Sequence, residues 1–321
     1  MGLLPKGHLS GRVRLWYRLR VGEEIELRQS PRPSLPGQQE IKSREALRAY
    51  GHLAVCDGRK YRDFLVERYA PGGLNTVFQP IFFLGPAGHE LYGFECLTRG
   101  PVGTALESAD SLFQFARTAG TVCSLDRACI ARGLQHAADF CTGTLLFLNL
   151  HPETLKHDID FPRFLESAAK NYGIALDRIV IELLEYSRIA WVRPSRRCRA
   201  LGGLRDLGVR LALDDVHTSL DDVTRVAEYE PDFIKIDGDV LRGARYESSH
   251  RRFMVMMLDF ADRTRIEVIA EGLESEQDLR LIEAAEITMA QGYYLGRPAP
   301  AAELKIWPIA AGRGKAERLR G

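Results

Sequence analysis

Seven short apolar runs in this chain each end on a polar side chain that can bind a metal ion or a phosphate group. The runs are Leu91–Glu95, Leu145–Asn149, Ile179–Glu182, Val209–Asp215, Phe233–Lys235, Ile266–Glu271 and Ile287–Gln291. A buried strand has no need of a carboxylate at its end, whereas a barrel of parallel strands builds its active site at the C-terminal ends of its strands. The pattern therefore predicts a metal-dependent enzyme built on such a barrel, or a close relative of one.

Strand-like and helical segments alternate from about residue 74 onward. The predicted helices cover residues 109–119, 124–139, 161–172, 195–207, 220–228, 248–263 and 275–285. Repetition of strand and helix over roughly 235 residues predicts an α/β fold and suits a single TIM-like (β/α)8 barrel. A doubly wound open sheet is the alternative. That fold would require a glycine-rich phosphate loop, and the chain contains neither GxGxxG nor GxxxxGK[ST].

Composition narrows the classes of function. The 321 residues are 45% hydrophobic and 27% charged, and the net charge of +1 gives no indication of DNA binding. No apolar run approaches the length of a membrane span, and the N-terminus lacks an apolar signal-peptide stretch, so we expect a cytoplasmic protein. The six cysteines form no CxxC pair and no zinc-spaced cluster, which favours a reducing compartment.

The N-terminal part of the chain differs in pattern from the rest. Apolar residues alternate with arginines over Val13–Val21 and predict one strand of a small hairpin, Ser30–Gly37 has the composition of a linker, and residues 43–70 are predicted to be helical. This segment would suit a protein partner, an anionic partner or a regulatory ligand, although a poorly ordered extension is the competing interpretation. The predicted domains are an N-terminal extension (1–73), the barrel (74–310) and a basic tail (311–321).

Two adjacent carboxylates, Asp214 and Asp215, are the strongest local signal of chemistry. Adjacent carboxylates repel unless a cation lies between them, and in two-metal hydrolases such a group can bridge both ions. The competing interpretation is that Asp215 caps the following helix. Other runs favour a metal site because they end on hard oxygen ligands suited to Mg²⁺ or Mn²⁺. These ligands are Glu95, Asn149, Glu182 and Glu271.

Lys235, Glu271 and Glu274 are further candidates. A lysine at a barrel mouth would lie beside a phosphate or a water, and desolvation with neighbouring cations would lower its pKa. An ion pair with Asp237 at the surface is the alternative. Glu271 and Glu274 flank Gly272, so one carboxylate could bind metal while the other orients a ligand. Alternatively, both are acids of the next helix's first turn, where the helix dipole favours them.

The same residues lie in motifs that resemble the EAL-domain cyclic-di-GMP phosphodiesterases over roughly residues 74–305. The signature Glu-Ala-Leu is here Glu95-Cys96-Leu97. The other matching segments are Phe78-Gln79-Pro80-Ile81, Leu148-Asn149-Leu150-His151-Pro152, Ile181-Glu182-Leu183-Leu184-Glu185, Leu213-Asp214-Asp215, Phe233-Ile234-Lys235-Ile236-Asp237, Ile269-Ala270-Glu271-Gly272-Leu273-Glu274 and Gln291-Gly292-Tyr293. Single matches would be weak, but eight in order at the right spacing make the resemblance specific.

This resemblance implies a barrel whose first strand, about 75–82, runs antiparallel to the others. It implies hydrolysis of cyclic di-GMP to linear pGpG with two Mg²⁺ or Mn²⁺ ions, and a homodimer formed through the barrel. By position, the implied metal ligands are Glu95, Asn149, Glu182 and Asp214 for one ion, with Asp214 bridging to a second ion held by Asp215. The other implied roles are water binding by Lys235, base or metal ligand for Glu271, nucleotide contacts by Gln79 and Arg99, and shaping of the pocket by Glu274 and Gln291.

One loop departs from the family pattern. After the two aspartates the family usually reads Phe-Gly-Thr-Gly-Tyr-Ser-Ser, whereas this chain has His217 and Ser219 in place of the glycines. Because glycine adopts conformations that other residues reach only with strain, we expect an altered loop, and a gain in rate on restoring glycine if its geometry is limiting. Three functions remain: a phosphodiesterase, a cyclic-di-GMP receptor that no longer cleaves, and a protein-interaction module. The complete ligand set favours the enzyme.

Overall fold

The computed structural model describes residues 73–304, except for 86–87, 142, 185–198, 218 and 245. The predicted N-terminal hairpin, linker and helix lie outside these residues, as does the predicted basic tail. Within the described ranges, no helix combines the length and the apolar character that crossing a membrane requires.

Within the described residues, eight strands close into a barrel, and a ninth short strand pairs antiparallel with the first half of β1. The strands are β1 (Asn75–Gly85), β2 (Gly88–Arg99), β3 (Leu145–Leu150), β4 (Ile179–Leu183), β5 (Arg210–Val216), β6 (Phe233–Ile236), β7 (Glu267–Ala270), β8 (Met289–Ala290) and β9 (Ala299–Pro300). Strands β2 to β8 pair in parallel with their sequence neighbours, whereas β1 pairs antiparallel with both β2 and β8 and so closes the ring. The predicted TIM-like barrel with an antiparallel first strand is confirmed.

Helices surround the barrel and follow the predicted order. They are α1 (Ala109–Ala119), α2 (Val122–Ala137), α3 (Pro152–His157), α4 (Phe161–Asn171), α5 (Arg199–Asp206), α6 (Leu220–Tyr229), α7 (Gly238–Gly243), α8 (Ser248–Thr264), α9 (Glu276–Ala284) and α10 (Ala301–Leu304). The apolar faces of these helices and the outward side chains of the strands form the larger core. The short helices α3, α7 and α10 were not predicted, because one or two turns leave too little periodicity to detect.

An apolar cluster fills the barrel's interior below the site. It consists of Ile81, Leu145, Phe147, Val180, Ala212, Phe233, Ile269 and Met289. Side chains alternate between the two faces of a strand, so residues two positions further along face the same interior. Those next positions are Gln79 on the antiparallel β1, and Asn149, Glu182, Asp214, Lys235, Glu271 and Gln291 on or just after β3 to β8. The polar ring is therefore a direct consequence of strand periodicity above an apolar floor.

The run that ends at Glu95 requires one correction. Glu95 does not end its strand, because β2 continues to Arg99 through its pairing with β1, from Asn75 opposite Arg99 to Gly85 opposite Gly88. The long hairpin supplies hydrogen-bond partners beyond the apolar run. Glu95 pairs with Gln79 across this hairpin, which places β1 and β2 side chains together at the mouth of the barrel.

The cysteine in the signature segment is accommodated by a glycine on α2. A Cβ atom at Gly133 would lie 2.4 Å from Cys96 Sγ, closer than two such atoms can approach. Cys96 is buried, and burial raises the pKa of its thiol well above the ordinary value. The structure therefore favours an inert packed thiol at this position over a redox-active one.

A buried acid, Asp126, joins α2 to the start of α3. Its Oδ2 accepts hydrogen bonds from the His151 backbone N–H at 3.2 Å and from the Thr154 hydroxyl. Burial raises the pKa of Asp126 to about 8. The folded chain therefore holds a proton there between about pH 4 and pH 8 that the unfolded chain has lost, so the free energy of unfolding falls as the pH rises through that window.

Replacing Asp126 by Asn is expected to remove this contribution to the pH dependence of stability. Urea denaturation at pH 5 and pH 9 should show the wild type losing more stability than Asp126→Asn, with a difference on the order of a few kcal/mol. Asp262→Asn on the exposed face of α8 is the matched control and should behave like the wild type. Equal losses in wild type and Asp126→Asn would contradict the assignment.

Candidate active site

The ammonium group of Lys235 lies at the centre of four carboxylates in the mouth of the barrel. Its Nζ is 3.2 Å from Glu95 Oε2, 2.9 Å from Glu182 Oε1, 3.1 Å from Asp214 Oδ1 and 2.8 Å from Glu271 Oε1. Lys235 and Glu182 are fully buried. One positive charge facing four acidic groups leaves a strong negative field, which favours the binding of cations.

Amide side chains hold one wall of this cluster in place. Asn149 Nδ2 donates to Glu95 Oε1 at 3.0 Å, and Gln291 Nε2 donates to Glu95 Oε2 at 2.5 Å. Gln291 Nε2 also reaches Gln79 Oε1 at 3.2 Å, and Gln79 Nε2 donates to the carbonyl of Gly296 at 3.2 Å. These amides are uncharged, so they orient Glu95 without adding a positive charge beside its carboxylate.

Asp215 lies beside the cluster with an uncommon backbone conformation. One carboxylate oxygen each of Asp214, Asp215 and Glu271 lies within 4.8 Å of the other two. The φ angle of Asp215 is +51°, in the left-handed region that non-glycine residues rarely occupy. The helix-cap interpretation of Asp215 is wrong, because the side chain of Ser219 caps α6. Asp215 is therefore available to bind a cation.

Mutual repulsion and burial raise the pKa values of several carboxylates in the cluster. Burial, opposed by Lys235, raises the pKa of both Glu182 and Glu271 well above the ordinary value. Burial and the neighbouring Asp214 raise the pKa of Asp215 to about 6. Bound cations would relieve this repulsion, and protons would leave as they bind.

The expectation of a lowered pKa at Lys235 is wrong for the protein by itself. Burial lowers the pKa of Lys235, but the carboxylates of Asp214, Glu182, Glu271 and Glu95 outweigh burial and raise it well above the ordinary value. The ring of acids that faces the ammonium group therefore decides the direction of the shift in its pKa.

Two buried acceptor atoms support a cation at this site. Among the described residues, none donates a hydrogen bond to Asn149 Oδ1 or to Glu182 Oε2, although both atoms are buried. A buried acceptor without a donor is costly, and a cation supplies the missing interaction. All ligand candidates here are carboxylate or amide oxygens, which suit Mg²⁺ and Mn²⁺ better than zinc. The residues therefore fit the predicted ions.

A cavity of about 200 Å³ opens beside the cluster between β2, α1 and α2, and its lining includes Glu95, Arg99, Asp110, Asn149 and Asp214. Arg99 Nη1 donates a hydrogen bond to the carbonyl oxygen of Thr98 at 2.8 Å. Its guanidinium group places a positive charge in the lining of the cavity. This arrangement suits a ligand that carries negative charge near the acidic cluster.

Glu274 is the predicted site residue that lies apart. It is exposed, and its backbone N–H donates to Asp278 at 3.1 Å, next to the cap of α9. In the described part of the chain, its side chain forms no ion pair with Lys235. Helix α9 begins at Glu276, so Glu271 lies five positions and Glu274 two positions before it. Neither carboxylate therefore belongs to the first turn of that helix. The predicted surface ion pair between Lys235 and Asp237 does not form, because the Asp237 side chain caps α7 and Lys235 is buried inside the barrel.

A sequence model of the EAL domain matches residues 65–298 of the chain. The chain belongs to the EAL domain family. Curated relatives of this EAL domain include the uncharacterized signaling protein of Caulobacter vibrioides, 26% identical over 78% of this chain and 30% of its own length. The cyclic di-GMP phosphodiesterase PdeF of Escherichia coli is 26% identical over 61% of this chain and 26% of its own length. The chain thus spans less than a third of the length of these relatives.

Solved structures show the same fold as this EAL domain. BlrP1 of Klebsiella pneumoniae, in a manganese/cy-diGMP complex, superimposes with a TM-score of 0.63 at 24% identity over 73% of this chain and 58% of BlrP1. A standalone EAL protein of Vibrio cholerae in its c-di-GMP bound form gives a TM-score of 0.61 at 24% identity over 72% of this chain and 94% of that chain.

The loop after Asp215 differs from the family pattern in sequence, yet its backbone does not show the expected strain. Neither His217 nor Ser219 has a positive φ, so the expected strain at those positions is wrong, and the left-handed residue is Asp215. Ser219 is extended, with φ −96° and ψ 152°, and forms a reciprocal capping box with Asp222 at the start of α6. The His217 side chain is exposed. Glycine at position 219 would therefore remove a helix cap, and no gain in rate is expected from it.

Sequence reasoning missed two residues next to the site. Arg225 and Asp222 are buried, at 5% and 1% exposure, and form an ion pair at 3.2 Å. The signal for Asp222 was present, because Ser219 followed three residues later by an acid is a helix-start signature. Nothing in the sequence marked Arg225 as buried, since an arginine within a helix is usually solvated.

Proposed function

We propose that this EAL domain hydrolyses cyclic di-GMP to linear pGpG with the help of two divalent cations, Mg²⁺ or Mn²⁺. The observation that carries the proposal is the ring of four carboxylates around a buried lysine, next to a cavity that contains an arginine. An inert barrel would gain nothing from burying so much like charge, because unpaired buried charge destabilises the fold.

The proposed metal ligands are Glu95, Asn149, Glu182 and Asp214 for one ion, with Asp214 and Asp215 for the second. Bound there, two divalent cations would lower the pKa of a water molecule and neutralise charge on the phosphoryl group. Support comes from the unpartnered Asn149 Oδ1 and Glu182 Oε2, and from the proximity of Asp214, Asp215 and Glu271.

The protein's own side chains would carry the remaining roles. Lys235 would hold the attacking water through an N–H, and Glu271, whose Oε1 lies 2.8 Å from Lys235 Nζ, would accept a proton from that water. The water oxygen would bond to phosphorus while the ester oxygen leaves, which opens the ring of the dinucleotide. Arg99 would bind a phosphate, and Gln79 and Gln291 would hold Glu95 and contact the nucleotide. Glu274, which lies outside the ring of carboxylates, would help to shape the ligand pocket.

A cyclic-di-GMP receptor without turnover is the second candidate. The observations that favour it are the altered sequence of the loop after Asp215 and the left-handed conformation of Asp215 itself. If Asp215 were misplaced by about 1 Å, the rate would fall by about a hundredfold while the nucleotide contacts remained. A homodimer and a partner for residues 1–73 stay predictions from the sequence.

Binding and turnover measured on one preparation separate these candidates. Calorimetry with cyclic di-GMP in Ca²⁺ reports binding, because this larger cation is expected to occupy the site without supporting hydrolysis. The same sample is then exchanged into Mn²⁺, and pGpG is followed by chromatography. Binding with product supports the enzyme. Binding without product establishes the receptor. The absence of both binding and product would overturn the phosphodiesterase and the receptor alike.

A further inference from the structure

A buried ion pair between Asp222 and Arg225, in the first two turns of α6, lies beside the ends of two strands that carry site residues. The Arg225 guanidinium lies 3.2 Å from Asp222 Oδ1, and both side chains are almost wholly shielded from solvent. A buried arginine is costly unless its donors are satisfied. The arrangement of its remaining donors therefore shows which groups the pair holds.

The arginine end of this pair is directed at the backbone that carries the metal ligands. Arg225 Nη1 and Nη2 each lie 3.5 Å from the carbonyl oxygen of Asp214, and Nη2 lies 3.4 Å from the carbonyl oxygen of Leu183. Leu183 directly follows Glu182 on β4. One guanidinium thus spans the ends of β4 and β5, each of which presents a carboxylate to the site.

The aspartate end of the pair holds the loop that leaves the site. Asp222 Oδ2 accepts from the backbone N–H groups of His217 at 3.2 Å and Ser219 at 3.4 Å, and from Ser219 Oγ at 2.5 Å. Asp215 therefore lies between two restrained points, the Asp214 carbonyl before it and the His217 N–H after it. Its left-handed backbone, which is unfavourable for a residue with a Cβ atom, needs such restraint.

We propose that Asp222 and Arg225 are positioning residues that fix the backbone of Asp214 and Asp215 and so set the affinity for the second divalent cation. The inference rests on the proposed two-ion function. Residues 216–219 contain no glycine in this chain, and the pair holds this segment through the backbone N–H groups of His217 and Ser219. Loss of Arg225 frees the Asp214 carbonyl and the loop together, and the carboxylate of Asp215 then loses its fixed orientation.

Titration with Mn²⁺, followed by the electron paramagnetic resonance signal of the free ion, tests this inference without nucleotide or turnover. The wild type is expected to bind two ions. Arg225→Met, which keeps most of the side-chain volume, is expected to bind the weaker ion about 10–100-fold less tightly and to retain the tighter one. Arg225→Lys keeps the charge but not the fork of donors, and should give an intermediate loss.

The matched control is Arg205→Met. Arg205 on α5 also donates to backbone carbonyls of the α6 region, at Tyr229 and Glu230, but at the end of α6 remote from the site. This variant should bind both ions like the wild type. If the effect came instead from a general loss of support for α6, the affinity for the weaker ion would fall equally in Arg205→Met and Arg225→Met.

The outcomes are distinguishable. Two ions in the wild type with unchanged affinities in Arg225→Met would overturn the positioning role and leave the proposed function standing. If circular dichroism shows that Arg225→Met is unfolded, Arg225→Lys decides, and wild-type affinities in that variant would overturn the inference. A wild type that binds fewer than two ions would overturn the proposed two-ion function and the inference with it.

Discussion

Glu95→Gln is expected to reduce the conversion of cyclic di-GMP to pGpG by at least about a thousandfold, because a catalytic metal contributes several kcal/mol to the transition state. Gln has the shape of Glu, so the chain can still fold around Asn149 and Gln291. It lacks the charge that the first cation requires, and its amide group would present a donor toward Lys235 Nζ, 3.2 Å away.

Glu267→Gln is the matched control for this substitution. Glu267 is a half-buried acid on the same barrel, at the start of β7, where its Oε2 accepts a hydrogen bond from the Tyr92 hydroxyl at 3.1 Å. It lies at the opposite end of the barrel from the acidic ring and should leave turnover close to the wild-type rate. Glu95→Gln with wild-type turnover would show that the metal site has been misplaced.

Lys235→Met is expected to lower the melting temperature of the metal-free protein by about 10 °C. Removing one partner of a buried ion pair costs roughly 3–5 kcal/mol, and here the remaining carboxylates face one another with no cation between them. The loss should grow with pH, because Glu182 and Glu271, whose pKa values burial already raises, can take up protons at lower pH.

Mn²⁺ should restore more stability to Lys235→Met than to the wild type. The ions supply the positive charge that the substitution removed, and a ligand that binds only the folded state stabilises it. Thermal melting with and without Mn²⁺ measures this difference, and Lys170→Met on the exposed face of α4 provides the control. If Lys235→Met melts at the wild-type temperature without metal, the ammonium group does not neutralise the ring.

Much of the fold and the core of the site follow from strand periodicity. Apolar runs that end on Asn149, Glu182, Asp214, Lys235 and Glu271 point to one end of a barrel, because parallel strands bring those ends together. The structure places these residues above a shared apolar floor. The order of these residues along the chain was therefore sufficient to predict that their side chains meet at one end of the barrel.

The remaining features depend on contacts that no local pattern encodes. The extension of β2 past Glu95 arises from its pairing with β1, and the space for Cys96 arises from Gly133 on a different element. Arg225 resembles a solvated helix residue until the carbonyls of Leu183 and Asp214 are seen beside it. The loop after Asp215 does without glycine because a capping box between Ser219 and Asp222 offers a second way to build that turn.

Formation of pGpG from cyclic di-GMP by the purified protein in Mn²⁺, with a parallel reaction in excess chelator, tests the proposed chemistry most directly. We expect linear product to accumulate with Mn²⁺ and to be absent with chelator or in Glu95→Gln. If pGpG fails to form while the same preparation binds two Mn²⁺ ions and cyclic di-GMP, the acidic ring does not catalyse hydrolysis and the phosphodiesterase assignment is wrong.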